Sequence, residues 1–235
     1  MIKQLTDNER EDALHGVVDE EVRNFRQADY RISPAFLNRW SPRAFSLEPI
    51  DNDILMILFE AARWAASSYN EQPWRFLIAR TDEDREKFLS FLVPANQAWA
   101  QHAPVLVVVV AKRTFTHNNQ PNKTYHFDAG CASGYLTLQA SLKGLYAHGM
   151  AGFDADAARL ALGIPIDFDP LAVFAIGRRG KQLSLPDNLR ELEKPSGRRP
   201  VAESIMEGSF RQKIEAEAEA DTQNETDGSQ NFKAG

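Results

Sequence analysis

The chain has 235 residues, 43% hydrophobic and 26% charged, which is long enough and apolar enough for one ordinary domain with its own core. Its net charge of -6 and pI near 5.5 exclude a general nucleic-acid binder, which needs a basic surface to displace counterions from phosphates. Cys131 is the single cysteine, so an intrachain disulfide and a cysteine-rich zinc site are excluded.

The sequence predicts no membrane segment. Residues 1–10 are polar and lack the apolar stretch of a signal peptide. The longest apolar run, residues 103–111, is shorter than the roughly 20 residues that a spanning helix needs. We therefore expect a cytoplasmic protein that binds neither membranes nor nucleic acids.

The first 50 residues predict an N-terminal helical extension over residues 1–29. Thr6 and Glu9 have the spacing of a capping box, and the apolar residues that follow recur at helical intervals to residue 25. Three prolines break any long helix over residues 30–49, so an irregular segment is expected there.

The middle of the chain predicts helices that alternate with strands. Asp51 and Thr81 each begin a helical pattern. Between these helices, Trp74 to Ala79 predicts a buried strand. Pro104 to Ala111 contains four successive valines and no alternating polar residue, which predicts a strand buried on both faces.

The last third predicts a long helix from Asp128 to Ala147, a short helix between Asp154 and Gly163, and a strand from Leu171 to Gly177. Residues 207–235 are expected to form a disordered tail, because glutamate alternates with alanine and large apolar residues are scarce. Strands that interleave with helices predict a sheet covered by helices.

Residues 39–43, Arg-Trp-Ser-Pro-Arg, are the first candidate for chemistry. Two guanidinium groups on either side of a hydroxyl suit a phosphate, because each arginine donates a fork of charge-assisted hydrogen bonds. The alternative is a solvated loop with two surface arginines.

The second candidate is the polar stretch from Ser67 to Trp74, placed where an apolar helix gives way to a buried strand. Asn70 carries both a donor and an acceptor and can pair with the edge of a heterocycle. The alternative is a helix end with asparagine as a left-handed cap.

Two further candidates lie later in the chain. The glycines of the segment Gly149 to Phe153 allow a backbone to approach a flat ligand, although a plain turn between helices is the alternative. Arg198 and Arg199 are either a ligand site or a surface basic pair. The sequence contains no G-x-G-x-x-G, no phosphate loop of the Walker type and no histidine spacing typical of a metal site.

The order of these four segments resembles the nitroreductase family of flavoproteins, over roughly residues 30–206. The family pattern R-x-S-x-R corresponds to Arg39, Ser41 and Arg43, and S-S-x-N-x-Q-P-W corresponds to residues 67–74. The sequence departs from that pattern at Trp40, where many members have histidine, and at Ala151, where some have glutamate.

The resemblance implies an α+β fold with a central, mostly antiparallel sheet flanked by helices, and a homodimer with FMN at its interface. Hydride would pass from NADH or NADPH to a small organic acceptor, such as a nitroaromatic or a quinone, in a ping-pong reaction. It implies no metal and no side-chain acid or base, so we name no catalytic residue. The predicted cofactor-binding residues are Arg39, Ser41, Arg43, Ser67, Ser68, Asn70, Gln72, Met150, Ala151, Gly152, Arg198 and Arg199.

Two other functions remain open at this point. A flavin-binding protein without nicotinamide-driven turnover would have the same motifs. A regulatory module that binds a phosphate or a nucleotide would need only Arg39 and Arg43.

Overall fold

A computed structural model describes residues 16–210 of the chain. The chain divides into two compact units, residues 1–197 and residues 198–235. The predicted capping-box helix and nearly all of the predicted tail lie outside the described residues. In the second unit, the described residues contain a 3-10 helix, Val201–Ser204.

The first unit is built around one four-stranded sheet. Its strands are β1 (Trp74–Ala79), β2 (Val105–Lys112), β3 (Tyr146–Met150) and β4 (Phe168–Gly177). Their order is β1-β2-β4-β3, and every neighbouring pair is antiparallel. The expected α+β fold with an antiparallel central sheet is confirmed.

Helices cover both faces of the sheet. In chain order they are α1 (Glu20–Arg23), α2 (Pro34–Asn38), α3 (Asn52–Arg63), α4 (Asp82–Ser90), α5 (Pro94–Ala100), α6 (Tyr125–Leu142), α7 (Ala155–Leu162) and α8 (Asp187–Arg190). No helix within residues 16–210 is long and apolar enough to cross a membrane.

Strand β2 lies at the centre of the core. All of its residues except Lys112 are buried, as the valine run predicts. Because successive side chains of a strand point to opposite faces, Val108 and its even-numbered neighbours face the cluster that contains Phe88 and Trp99. Val107 and its odd-numbered neighbours face the cluster that contains Leu58 and Leu136.

The predicted helix starts at Asp51 and Thr81 and the predicted cap at Asp154 are confirmed. The side chains of Asp51, Thr81 and Asp154 each accept a hydrogen bond from a backbone N–H two or three residues ahead. Gly163 ends α7 with a φ of 62°, the left-handed conformation that glycine adopts without steric cost.

The prediction of one helix from Asp128 to Ala147 is wrong in its last turn. The helix ends at Leu142, Gly144 turns the chain with a φ of 68°, and β3 begins at Tyr146. Leu145 is buried at a spacing that also fits a helix, so periodicity does not distinguish the two structures here. Strand β3 forms because β4 offers it a partner along its whole length.

Three other details differ from the predictions. Within the described part of the N-terminal extension only Glu20–Arg23 is helical, so the expected longer helix is not present there. The segment expected to be irregular contains α2, which Pro34 begins at a position where its missing N–H costs nothing. Helix α5 was not predicted; it also begins at a proline.

Candidate functional site

The loop of residues 39–43 follows α2 and lies against β3. Trp40 and Pro42 are buried and alternate with half-buried positions, so the side chains at those positions point away from the core. Those side chains are half-buried: Arg39, Ser41 and Arg43. Arg39 Nη1 donates to Ser41 Oγ at 3.4 Å, which places these two donors together. Arg43 is the third half-buried position of the same alternation.

Glu193 supports the end of this loop. Its carboxylate is fully buried and accepts hydrogen bonds from the backbone N–H groups of Arg43, at 2.8 Å, and Ala44, at 2.9 Å. Arg179 compensates its charge: Nε lies 3.4 Å from Glu193 Oε1, in ion-pair contact without hydrogen-bond geometry. The Arg179 guanidinium also lies over the Trp40 ring, 4.5 Å from its centroid.

His148, on β3, holds the middle of the loop. Its Nδ1 lies 2.8 Å from the Pro42 carbonyl oxygen, and because a carbonyl only accepts, Nδ1 carries the proton. Burial lowers the pKa of His148 to about 4, although the Pro42 carbonyl opposes this effect, and the charge of Arg43 lowers the pKa further. The imidazole is therefore neutral near pH 7.

The stretch from Ser67 to Gln72 lies before β1 and has an unusual backbone. Tyr69, Asn70 and Gln72 have φ values of 51°, 54° and 50°, in the left-handed region that side chains other than glycine rarely adopt. Ser67 Oγ accepts from Gln72 N at 3.0 Å and closes the turn. Such strain is maintained only where the surroundings enforce it and is typical of functional sites.

Contacts with α6 and with the loop after β2 enforce this backbone. Ser68 N donates to the buried carboxylate of Asp128 at 3.2 Å. Glu71 accepts from the backbone N–H and the hydroxyl of Thr116. Partial burial opposes the ionisation of Glu71, but these hydrogen bonds outweigh it and lower the pKa of the carboxyl. Tyr69 stays 83% exposed.

The segment Gly149 to Phe153 is the end of β3 and the turn that follows it. A Cβ on Gly152 would lie 2.8 Å from Asn96 Nδ2, so glycine is needed here for packing within the chain. The Met150 side chain is buried in the core, which leaves only its backbone for a ligand. Within residues 16–210, the N–H groups of Ala151 and Gly152 donate to no group of the chain.

The strand register separates the predicted site residues of one chain into two groups. Residues 39–43 and 151–152 flank β3, at one edge of the sheet, whereas residues 67–72 precede β1, at the other edge. Three strand spacings of about 4.8 Å put these edges roughly 14 Å apart. Arg198 and Arg199 belong to the second unit, so their part in a site stays a prediction.

Helix α6 has two apolar faces. Its inner face, with Leu136, is buried against the sheet, whereas Phe127, Tyr135 and Leu142 on the opposite face are 79%, 46% and 61% exposed. A cavity of about 640 Å³ lies along the outer face, and Arg39 contributes to its wall. The small residues near the start of α6 do not share one environment, because Ala129 and Ala132 lie in the chain's own core and Gly130 and Gly134 do not.

Reasoning from the sequence missed Glu193 and His148. Neither belongs to a local motif, and both reach the loop from more than 100 residues away along the chain. Within residues 16–210, no group of three histidine, cysteine, aspartate or glutamate side chains is placed to hold a metal ion.

Comparison with known proteins identifies the family to which this chain belongs. The model of the nitroreductase family matches residues 36–178. A solved structure described as an oxidoreductase containing FMN is 42% identical, covers 80% of this chain and 97% of its own, and superposes with a TM-score of 0.77. The chain belongs to the nitroreductase family.

More distant relatives agree with this assignment. A Streptomyces coelicolor protein provisionally named NADH dehydrogenase/NAD(P)H nitroreductase is 32% identical over 131 residues, which are 47% of this chain and 64% of that relative's length. An Exiguobacterium sibiricum protein solved in complex with FMN shares the fold, with a TM-score of 0.63 at 19% identity; the alignment covers 79% of this chain and 99% of that one.

Proposed function

We propose that this chain is an FMN-dependent oxidoreductase that passes hydride from NADH or NADPH to a small organic acceptor by a ping-pong mechanism. The observation that carries the proposal is the loop of residues 39–43, whose two guanidinium groups and one hydroxyl share a surface. The 42% identical relative described as an oxidoreductase containing FMN supports the choice of cofactor.

The donor set fits the phosphate of FMN. Arg39 and Arg43 supply charge and directed N–H donors, and Ser41 adds a neutral donor between them. Glu193 and the neutral His148 bind the backbone of the loop, not the side chains of this donor set. At the end of β3, the N–H groups of Ala151 and Gly152 are available to the edge of the flavin ring.

Two copies of the chain would complete one site. A ligand at residues 39–43 lies at the β3 edge, whereas Ser67, Ser68, Asn70 and Gln72 lie at the β1 edge of the same sheet. We therefore assign the second group to the partner subunit of a homodimer. The exposed apolar face of α6, next to Arg39, is the surface that we expect the partner to cover.

The chain's own residues bind and orient in this reaction. FMN, when bound, supplies the hydride chemistry. The strained backbone around Asn70 fixes an amide that can pair with the ring edge, and Glu71 holds that backbone in place. No side chain is assigned as a general acid or base. We place the FMN-binding domain at residues 30–206, and the acceptor at the exposed ring face.

Initial rates test this proposal. Because donor and acceptor use one site in turn, rates plotted as reciprocals against NADH or NADPH at several acceptor concentrations should give parallel lines. Intersecting lines would contradict the ping-pong mechanism. A protein that retains FMN but shows no rate with either nicotinamide would contradict the oxidoreductase and support flavin binding alone.

A further inference from the structure

Residues 16–29 precede the part of the chain that matches the family model, which begins at residue 36. Most of them are exposed, but Val22 of α1 is buried and Arg26 is half-buried. Four hydrogen bonds join them to residues 37–39, where α2 ends and the loop of residues 39–43 begins.

Arg26 makes the most direct of these contacts. Its Nη1 donates to the carbonyl oxygens of Leu37, at 2.6 Å, and Arg39, at 2.8 Å. Its Nε donates to the carbonyl oxygen of Ser196 at 2.9 Å. One planar guanidinium therefore joins the start of the loop to the segment that contains Glu193, a task suited to the fixed fork of arginine.

Neighbouring residues make a second set of contacts, with Asn38 and Arg179 beside the loop. Asn38 accepts from the backbone N–H of Asp19 and donates to the carbonyl oxygen of Val17, both at 2.9 Å. Glu21 pairs with Arg179 at 2.5 Å, and that guanidinium lies over Trp40. The N-terminal segment thus contacts Asn38 and the backbone of Arg39 directly, and Trp40 through one intermediate.

We infer that residues 16–26 form a brace that holds the loop of residues 39–43 in its phosphate-binding conformation, with Arg26 as a positioning residue. This inference rests on the proposed function. A surface loop is mobile unless it is tied down, and donors that are already ordered lose less entropy when they bind an anion. Because Arg26 contacts backbone oxygens, its effect on the ligand passes through the positions of Arg39 and Ser41.

The test compares FMN with riboflavin, which has the same ring and no phosphate. Dissociation constants of full-length wild type and Arg26→Ala are measured by quenching of flavin fluorescence, with thermal unfolding recorded for both. We expect Arg26→Ala to weaken FMN binding about tenfold more than riboflavin binding, the scale of one hydrogen bond to a charged group. Arg85→Ala is the matched control, because Arg85 also donates to two backbone carbonyls, of Gln101 and Ala103, away from the loop.

The outcomes separate the brace from the proposed function. Wild type that does not bind FMN contradicts the proposed function. Wild type that binds FMN, with Arg26→Ala unchanged in its preference for FMN over riboflavin, overturns the brace. Equal loss of both flavins also overturns it, because the contact would then be structural only. If Arg26→Ala does not fold, Arg26→Lys, which keeps the charge without the planar fork, must give a reduced preference or the brace is wrong.

Discussion

At the scale of single residues, buried and half-buried positions alternate along the loop of residues 39–43. Trp40 and Pro42 are buried, so the side chains between and beside them share the opposite surface. Local sequence was enough to predict this grouping. It could not predict Glu193 or His148, because contacts across 150 and 106 residues depend on the completed fold.

Removal of either arginine of this loop should weaken FMN binding. Arg39→Ala and Arg43→Ala each delete a charged donor, worth about 1.5–3 kcal/mol, or roughly 10- to 150-fold in the dissociation constant. Fluorescence titration with FMN measures the change, and Arg80→Ala, whose guanidinium donates to Asn52, is the control. Wild-type affinity in both loop variants would show that the phosphate binds elsewhere.

His148 should make stability depend on pH. The unfolded chain takes up its proton near pH 6.5, but burial lowers the pKa in the folded chain to about 4. The free energy of unfolding should therefore fall as pH drops from about 6.5 to 4, by on the order of 3 kcal/mol from this group. Urea unfolding of wild type and His148→Gln across this range measures it. Identical pH slopes for the two proteins would refute the assignment.

At the scale of elements, the features that could be predicted are those with local causes. Asp51, Thr81 and Asp154 cap their helices through contacts within three residues. The apolar run of residues 105–111 predicts β2 from its composition alone. Strand β3 could not be predicted, because its five residues include Gly149 and gain their hydrogen bonds only from β4.

The two faces of α6 should respond differently to shortening of a leucine. Leu136 is fully buried, so Leu136→Ala should lower the free energy of unfolding by about 2–5 kcal/mol at every protein concentration. Leu142→Ala, on the exposed face, should weaken the dimer and change the stability of one chain by less than about 0.5 kcal/mol. Denaturation and analytical ultracentrifugation distinguish the two. An unchanged dimer in Leu142→Ala would remove this face from the interface.

At the scale of the whole molecule, the sheet order is the reason for proposing that two chains complete one site. The motif sequences alone give no hint that residues 39–43 and 67–72 lie at opposite edges, since that depends on the order β1-β2-β4-β3. The family pattern supplied the dimer as an expectation, and the proposal of a shared site rests on this strand order.

Mixed dimers test this shared site. Arg43→Ala and Asn70→Ala should each impair both sites of a homodimer. A heterodimer of the two variants should regain one intact site, which takes Arg43 from one chain and Asn70 from the other. Mixing the unfolded variants, refolding them together and titrating FMN should recover tight binding at about one site in four, since half of the dimers are mixed. No recovery would mean that each site uses one chain alone.

The anaerobic half-reactions of the purified protein are the most direct test of hydride transfer through bound FMN. The flavin absorbance of the FMN-loaded protein is followed as NADH or NADPH is added without oxygen, and then, after removal of the nicotinamide, as a nitroaromatic or a quinone is added. We expect one nicotinamide to bleach the flavin and an acceptor to restore its colour. A protein that cannot be loaded with FMN, or whose bound flavin neither nicotinamide bleaches, would contradict it.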